Sequence, residues 1–414
     1  MHSTSTAPVA AIGTSAFYRD PYPTYRALLD SGTRAVRLAP NYVAVTHYED
    51  CLDVLRDPRL SSAMRTKNRL AHLTDEQRQT AISSPGTLEA MMLFMDSPQH
   101  TRVRQLLRRF FSPESLASLR PRIAALLQDL LDALPVGVEI DFMSSLAHPL
   151  PALVIGEILG VPSSHWKQLM NWSDTFIEYL ATLRAPIELV LKAERVITEM
   201  GSFLEELAQQ RRSQPGDDVI SFMLASEQDG ERLSHQEFLS QAMLLLLAGH
   251  ETTRNLIGNG LVTLLRNPEA MAQLRSDPSI VRSAVEEFLR YEGPIQGVSR
   301  VVLEEMELFG ERLQPGHAVY TLLGCANRDS RQFPEPDRLD LRRKNNAHLG
   351  FGAGAHACLG LHLARLEGQI AFPALLTRFP HIELCGDDLE WSQVLALRGL
   401  KRLKVVLHDE ASSR

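Results

Sequence analysis

The segment around Cys358 combines residue types that suit a sulfur ligand for a metal. Three glycines and three alanines lie within residues 350–359, so the backbone there can lie flat against a large partner. We predict that Cys358 opens a helix that runs to residue 378. The positive end of such a helix favours a thiolate over a thiol. An anionic sulfur approached by small-residue backbone is suited to be an axial metal ligand, with backbone N–H groups tuning its potential.

Three other interpretations of this segment stay open on spacing alone. Gly352, Gly354 and Ala357 fit a dinucleotide-binding fingerprint, but no clear strand precedes them and no βαβ unit follows. Four potential zinc ligands occur here without the usual paired spacing: His348, His356, Cys358 and His362. The third alternative is a buried, inert cysteine, which is the ordinary state of a lone Cys but is less favoured by the composition of this loop.

A second candidate for chemistry lies on the longest predicted helix. Ser234 and Glu237 have the spacing of a capping box, and the helical pattern continues to residue 266, where Asn267–Pro268 ends it. About 33 residues at 1.5 Å each make a helix of roughly 50 Å. Because its middle is apolar on nearly all sides, we expect this helix to cross the interior of the protein.

The middle of this helix departs from good helical sequence at residues 248–253. Gly249 weakens a helix interior by roughly 1 kcal/mol, and two adjacent threonines, Thr252 and Thr253, weaken it further. A weakened stretch that also carries an acid, Glu251, is typical of a functional site. The alternative is that Glu251 and the threonines face solvent or bond to the preceding turn.

Two further pairs of polar residues have helical spacing. Glu287 and Arg290 are three apart and share a helix face, as an ordinary surface ion pair also would. His100 and Arg104 are four apart and share a face that could bind an anion, or that is simply a solvated charged face. Arginines make this second helix basic in an acidic chain: Arg102, Arg104, Arg108 and Arg109.

The elements that must position these residues are mostly helices. Helical periodicity covers residues 100–111, 113–134, 187–212, 234–266, 278–291 and 358–378, whereas strand patterns are confined to 42–46, 300–303, 317–322 and 403–408. We therefore predict a mainly α fold with a minor β part. No linker or repeat interrupts the chain between a loose arm (1–16) and a tail (410–414), which predicts a single domain over residues 17–409.

Composition and charge exclude several classes of protein. The 414 residues carry 43 basic and 50 acidic side chains, a net charge of −7, which argues against nucleic acid or an acidic membrane as partner. The longest strongly apolar run, residues 242–249, is far shorter than the roughly 20 residues that span a bilayer. The four cysteines are scattered and form no disulfide framework. We expect a cytoplasmic, monomeric protein without a membrane anchor or signal peptide.

Together these motifs resemble the cytochrome P-450 family, and the resemblance runs over residues 17–406. Residues 351–360 are similar to the family's haem-binding signature, and residues 248–253 to its oxygen-activation motif. Glu287 and Arg290 resemble its E-x-x-R pair, and residues 327–338 resemble the segment that supplies the pair's arginine partner, Arg338. The resemblance implies the cytochrome P-450 fold, with a long central helix over a buried haem b.

The resemblance also implies a role for each candidate residue. Cys358 would be the thiolate ligand of the haem iron, with Phe351 and Gly352 against the ring on the same side. Ala248 and Gly249 would lie on the opposite side, where Gly249 leaves room for dioxygen. Four side chains would hold the haem propionates: His100, Arg104, Arg300 and His356. Glu287, Arg290 and Arg338 would form a buried structural network.

The implied reaction is the O2-dependent hydroxylation or epoxidation of a hydrophobic small molecule, either a natural product or a lipid-like compound. Glu251 and Thr252 would deliver the protons that dioxygen reduction consumes. Apolar residues implied at the substrate are Met92, Phe94, Leu244, Leu247, Ile295, Val298 and Leu395. No flavin, nicotinamide or iron–sulfur module is visible, so electrons would come from a ferredoxin and its reductase.

The alternative function is that of a haem protein which binds a ligand without turnover, as a sensor or carrier. Glu251 and Thr252 discriminate the two functions, because a protein that only binds a ligand needs no proton relay.

Overall fold

The computed structural model of the protein describes residues 7–67, 69–70, 72–81, 84–182, 184–226 and 232–409. Its contacts group the chain into two compact units, each assembled from separated stretches of sequence. Unit 1 comprises Met1–Leu60, Pro121–His148 and Thr252–Arg414, and unit 2 comprises Ser61–Arg120 and Pro149–Glu251. The single domain over residues 17–409 stays a prediction.

Helices dominate the described chain, which confirms the predicted class. The α-helices are α1 (Ala7–Ala11), α2 (Ser15–Arg19), α3 (Tyr22–Asp30), α4 (Tyr48–Arg56), α5 (Met64–Lys67), α6 (Asp75–Thr80), α7 (Ser84–Glu89), α8 (Gln99–Arg108), α9 (Pro113–Ala117), α10 (Arg120–Asp132), α11 (Pro149–Leu159), α12 (Trp166–Ala181), α13 (Ile187–Ser213), α14 (Val219–Ala225), α15 (His235–Leu265), α16 (Pro268–Ser276), α17 (Val281–Tyr291), α18 (Leu323–Ala326) and α19 (Leu361–Arg378). Within the described ranges, none of them has the length and apolar character that a bilayer span requires.

Short strands form three small sheets. The strands are β1 (Ala35–Ala39), β2 (Tyr42–Val45), β3 (Leu60–Ser61), β4 (Glu139–Asp141), β5 (Gly297–Val302), β6 (Met306–Leu308), β7 (Glu311–Leu313), β8 (Ala318–Leu322), β9 (His381–Leu384) and β10 (Lys404–His408). The sheet orders are β1-β2-β8-β5-β3, β4-β10-β9 and β6-β7. This minor β part also agrees with the predicted class.

The five-stranded sheet positions one side of the candidate site in unit 1. β8 pairs with β2 in parallel and with β5 in antiparallel, so that Val319 lies opposite both Val43 and Arg300. Val43 and Val319 are fully buried in an apolar cluster that extends to Leu349 and the partly buried Ala353. The cluster therefore anchors the start of the segment that carries Cys358.

The long helix α15 spans 31 residues, close to the predicted 234–266. The predicted capping box is present: the Ser234 N–H donates to Glu237 Oε2 at 2.8 Å, and the Glu237 N–H donates to Ser234 Oγ at 3.2 Å. The boundary between the two units falls inside this helix, between Glu251 and Thr252.

Several predicted helices have different limits in the structure, and α8 ends at Arg108 where the pattern predicted residue 111. α19 begins at Leu361 and not at Cys358, because Gly360 is its N-cap and the Cys358 N–H is used by the preceding loop. The pattern over 113–134 forms two helices, α9 and α10, and the pattern over 278–291 begins with a 3-10 turn, Pro278–Ile280. In each case the apolar residues keep the helical spacing across the interruption, so the spacing alone does not show where the helix begins or ends.

Residues 7–16, predicted as part of a loose arm, are structured instead. α1 covers Ala7–Ala11, and Val9 and Ile12 pack against a buried cluster that includes Tyr25 and Leu322. These two apolar side chains give the segment a face to bury, which its Ser/Thr/Ala-rich composition obscured. Residues 1–6 and the predicted tail, 410–414, lie outside the described residues.

Candidate active site

Backbone hydrogen bonds give the segment before α19 a tight loop. The Cys358 N–H donates to the Phe351 carbonyl at 2.9 Å, and the Ala357 N–H donates to the Gly354 carbonyl at 3.1 Å. Gly352 and Gly354 have φ of 66° and 70°, in the left-handed region that favours glycine. A Cβ on Gly354 would lie 2.7 Å from the Leu55 carbonyl oxygen, so only glycine fits there. Cys358 therefore lies in a loop that is closed by its own backbone. We call residues 351–361 the cysteine loop.

The loop presents an apolar surface that the protein does not cover completely. None of residues 351–361 is fully buried, although they include Phe351, three alanines, two leucines and Cys358 itself. Small side chains and glycines leave the backbone accessible over this stretch. A large, flat apolar group with a metal that takes a sulfur ligand fits this surface, and haem is such a group.

A charged cluster that the sequence did not reveal supports the loop from α17. Arg365 donates to both carboxylate oxygens of Glu286, at 2.7 and 2.8 Å, and His348 Nε2 lies 3.1 Å from Glu286 Oε2. The Arg365 guanidinium also lies over the Phe351 ring, 4.8 Å from its centroid. Glu286 thus connects both ends of the loop to one helix. Only the adjacency of two glutamates, at 286 and 287, could have drawn attention to it.

The Glu286 cluster predicts a pH dependence of stability. Burial by itself raises the pKa of Glu286, but the hydrogen bonds from His348 and Arg365 outweigh it and lower the pKa from 4.5 to about 2. A depressed pKa stabilises the fold above pH 4.5, and this contribution is lost as the pH falls toward 2. We expect Glu286→Gln to be less stable than wild type at pH 7, by a margin that shrinks below pH 4.5, in urea unfolding curves. A margin independent of pH would contradict this account.

A second cluster on α17 contains the predicted pair. Glu287 and Arg290 have fully buried side chains, and Arg290 donates to both Glu287 oxygens at 2.7 and 2.8 Å. Arg343 donates to the same carboxylate at 3.1 and 3.2 Å, and its side chain is 8% exposed. The pair is therefore a buried network and not a surface ion pair.

The assignment of Arg338 to this network is wrong for its side chain. The Arg338 guanidinium is 66% exposed and pairs with Glu335, while only its backbone carbonyl accepts hydrogen bonds from Arg290 and Arg343. Arg338 and Arg343 both lie in irregular chain between α18 and α19, where no period shows which side chain turns inward. Arg343 is the arginine that completes the cluster.

In unit 2, α15 changes from buried to partly exposed residues in the middle of the helix. Residues 241–247, which include Leu244 and Leu247, are buried, whereas Ala248 is exposed and Gly249 is partly exposed. Glu251 is partly exposed, as is Thr252 at the start of the unit 1 portion of the helix. The stretch singled out by its poor helical sequence is thus regular helix, in which Glu251 and Thr252 are accessible and His250 and Thr253 are buried. Accessibility is what proton transfer from these groups requires.

Helix packing gives Gly249 a second explanation. A Cβ on Gly249 would lie 3.3 Å from Ile155 Cδ1 on α11, tighter than ordinary contact. The next residue, His250, is buried, and its Nδ1 lies 3.1 Å from Ser173 Oγ on α12. Close packing inside unit 2 therefore accounts for the glycine, and the room it leaves for dioxygen stays a prediction.

The four predicted propionate ligands lie on three elements. In unit 2, His100 is buried and Arg104 is partly buried on α8. In unit 1, Arg300 is buried on β5, where its Nη1 donates to the Ser299 carbonyl at 2.9 Å, and His356 is partly exposed in the 3-10 turn of the cysteine loop. Their common role at haem propionates stays a prediction.

The predicted substrate residues are apolar and divide between the units. Met92, Phe94, Leu244 and Leu247 are buried in unit 2. Gln241 of α15, which the sequence analysis missed, accepts a hydrogen bond from the Met92 N–H at 3.0 Å and so holds the Met92–Phe94 turn to that helix.

In unit 1, Ile295 and Val298 are partly buried against the sheet cluster, and Leu395 packs beside a second cluster that contains Tyr320. Gln296 is buried between them. Its Oε1 accepts from the Tyr25 hydroxyl at 3.0 Å and its Nε2 donates to the Gly293 carbonyl at 2.8 Å, which makes it a structural residue.

The other interpretations of the cysteine loop find no support in this geometry. No strand precedes the loop and a helix follows it directly, so there is no dinucleotide-binding βαβ unit. Among the described residues, the clusters of three potential metal ligands do not include Cys358. His348 is instead committed to Glu286.

Comparisons with known proteins assign this architecture to a family. A cytochrome P-450 family model matches residues 152–395. The monooxygenase PikC of Streptomyces venezuelae is 38% identical over 97% of this chain and 95% of its own length. The vitamin D(3) 25-hydroxylase of Pseudonocardia autotrophica is 37% identical over 94% of each chain. The structure of the cytochrome P-450 BioI, in complex with an acyl carrier protein ligated to hexadec-9Z-enoic acid, superimposes with a TM-score of 0.86 at 34% identity and covers 95% of this chain and 99% of that one.

The chain therefore belongs to the cytochrome P-450 family and has its fold. It is an enzyme of the monooxygenase class that binds haem b and uses O2 as co-substrate. This membership decides against the sensor or carrier alternative, since similar proteins over nearly the full length are monooxygenases and hydroxylases.

Proposed function

We propose that the chain hydroxylates or epoxidises a hydrophobic natural product or lipid-like molecule, with its haem held by Cys358. The observation that carries the proposal is the loop of residues 351–361: its backbone is closed by hydrogen bonds, its surface is apolar and incompletely covered, and its sulfur precedes a helix N-terminus. When bound through a thiolate, haem activates dioxygen, and electron donation from the sulfur favours cleavage of the O–O bond.

The chain's own residues would hold the group and its charges. Phe351 and Gly352 would pack on the sulfur side, and Ala248 and Gly249 on the other side. Buried or partly buried cations would bind the propionates by charge-assisted hydrogen bonds: His100 and Arg104 of unit 2, and Arg300 and His356 of unit 1. A cation buried near a carboxylate keeps that carboxylate ionised, which fixes the orientation of the group.

Two residues in the middle of α15 would supply protons. Thr252 is partly exposed, and its hydroxyl can both accept and donate a proton. Glu251, also partly exposed, can exchange protons with water and pass them to the neighbouring hydroxyl. Thr252 would deliver the proton, and Glu251 would replace the proton that Thr252 gives up.

Replacing Thr252 with alanine tests this part of the proposal. We expect haem content and the reduced carbonyl spectrum to stay at wild-type values, because Thr252 does not hold the group. Product per electron consumed should fall by about a hundredfold, the lower end of the contribution expected of a positioned acid–base group, while oxygen consumption continues. The measurement is product and hydrogen peroxide per reduced nicotinamide consumed, with surrogate ferredoxin and reductase. The buried neighbour offers a matched control, since Thr253→Ser should remain coupled.

The substrate class rests on the apolar residues and on the relatives. Met92, Phe94, Leu244 and Leu247 offer methylene, thioether and ring surface with no charged group. Vitamin D(3) and the hexadecenoic acid of the BioI complex, named for two similar proteins, are both large and hydrophobic. Sterol-like, polyketide and fatty acyl compounds should therefore be screened for a shift of the haem spin state.

The electron donor is proposed to be a ferredoxin that docks on the basic helix α8. Arg108 and Arg109 are exposed there, whereas Arg102 is bound to Glu237 and so contributes little charge. We expect the double charge reversal Arg108→Glu/Arg109→Glu to slow haem reduction by ferredoxin about tenfold at low salt, with the difference shrinking at high salt. Arg266→Glu, a single charge reversal at another exposed arginine, is the control. Stopped-flow rates that are the same in all three proteins would refute this docking site.

A further inference from the structure

Three potential metal ligands meet on the solvent face of the sheet β4-β10-β9, in unit 1. In the antiparallel register of β9 and β10, His381 lies directly opposite His408. Glu383 is two residues from His381 and so points to the same face of β9. The opposite face is core, since Val405 and Leu407 are fully buried. Alternation along the two strands therefore places two imidazoles and a carboxylate together on the exposed side.

The distances between these side chains suit one shared ion. One ligand atom from each of His381, Glu383 and His408 lies within 4.8 Å of the other two. His408 Nε2 and Glu383 Oε2 are 3.9 Å apart, too far for a hydrogen bond. His408 Nε2 is buried and has no hydrogen-bond partner in the part of the chain that the structure describes. An ion at about 2.0–2.2 Å from each atom would give that nitrogen a partner.

We propose that His381, Glu383 and His408 bind one zinc-class divalent cation. Two imidazole nitrogens and one carboxylate oxygen are a donor set of zinc sites, with water in the fourth position. Calcium and magnesium prefer six or more oxygen ligands, of which this cluster offers one carboxylate. Copper and nickel would bind the same nitrogens, copper more tightly. The site is separate from the cysteine loop that the haem uses.

The neighbouring cations, Arg378 and Lys404, pair with carboxylates other than Glu383. Arg378, the last residue of α19, lies 3.8 Å from Asp132 and 3.9 Å from Asp409 and is shared between these carboxylates. On the neighbouring strand, Lys404 pairs with Glu139 at 2.8 Å. Neither cation pairs with Glu383 in these contacts, so an incoming dication meets the Glu383 carboxylate and two imidazoles.

The consequence for the protein is a cross-link between two strand ends. β10 is the last strand in the described part of the chain, and His408 is its last residue. An ion that binds the folded sheet and not the unfolded chain stabilises the fold by mass action. Zinc should therefore raise the melting temperature and protect the amides of β9 and β10 from hydrogen exchange.

The experiment uses tag-free, haem-loaded protein, stripped with chelator and then titrated with zinc chloride by calorimetry. We expect one zinc per chain in wild type. The loss of one ligand should weaken binding at least about tenfold, since even partners of ligands are worth 10-fold to 100-fold. His381→Ala and His408→Ala should show this loss, Glu383→Gln a smaller one, and the zinc-induced rise in melting temperature should vanish in the double histidine variant.

A second histidine–glutamate pair in the chain serves as a matched control for zinc binding. His235 Nδ1 lies 3.6 Å from Glu205, without a second histidine in that ion pair, so His235→Ala should bind zinc as wild type does. Cys385→Ser should also retain binding, which separates this site from the nearby thiol. Circular dichroism and the Soret band report folding and haem content of every variant. The proposal is overturned if wild type binds no stoichiometric zinc, or if the double histidine variant binds it equally well.

Discussion

Cys358→Ser is expected to abolish the spectrum of a thiolate-ligated haem and to reduce turnover to background. The loop should survive this change, because its hydrogen bonds run between backbone atoms and not through the sulfur. A serine hydroxyl does not ionise near neutral pH, so it cannot replace the charge that the sulfur donates to iron. The variant therefore isolates the ligand from the fold of the loop.

The measurement is the absorbance of the reduced carbonyl complex, whose Soret band is strongly red-shifted only with a thiolate ligand. Substrate oxidation with surrogate redox partners is the second measurement. A variant that keeps both the wild-type band and turnover would contradict the assignment of Cys358.

The other three cysteines provide the controls. Burial raises the pKa of Cys51 and Cys325 well above the ordinary value, so both remain neutral thiols. Burial and then the carboxylates of Glu139 and Glu383 also raise the pKa of the partly exposed Cys385. Cys385→Ser should thus keep the carbonyl spectrum and full activity, because it changes the same atom at a site that lacks the loop.

Glu287→Gln is expected to lower the free energy of unfolding by about 3–5 kcal/mol, the cost of breaking a buried ion pair from one side. Glu287 accepts from Arg290 and Arg343, and also from the Asn346 side chain at 3.1 Å and the Asp340 N–H at 2.9 Å. Glutamine would leave two buried guanidinium groups without a counter-charge. This is a large share of the roughly 5–15 kcal/mol that stabilises a typical protein.

The measurement is urea unfolding followed by circular dichroism, with haem content recorded in parallel. Two arginines five residues apart give the matched comparison. Arg343→Ala removes a buried partner of Glu287 and should lower stability strongly, whereas Arg338→Ala removes an exposed side chain and should change it little. A larger loss of stability in Arg338→Ala than in Arg343→Ala would contradict this and place the Arg338 side chain in the network.

Local spacing explains why several site residues could be found from the sequence. Glu287 and Arg290 are three apart, so any helix brings them to one face. Ser234 and Glu237 cap α15 for the same reason, because both hydrogen bonds span three residues. The glycines of the cysteine loop indicate its tight backbone without any distant partner, because a positive φ favours glycine at the position itself.

Residues joined over long separations in sequence were missed or misassigned. Glu286 meets His348 across 62 residues and Arg365 across 79, and no periodicity connects such positions. Gln241 holds a turn 149 residues away. The close approach of Gly249 to Ile155 on α11 was also missed, because only the folded unit 2 displays it.

The helical class, the capped central helix, the cysteine loop and the family could be predicted from the sequence alone, since these depend on hydrophobic period, spacing and residue type within short windows. The three-dimensional fold was needed to show which arginine reaches Glu287, which charges support the loop, and which strand ends bring His381 next to His408. The physical reason is that side chains in irregular segments take their direction from distant partners. Those partners become neighbours only when burial of the apolar core brings separated segments together.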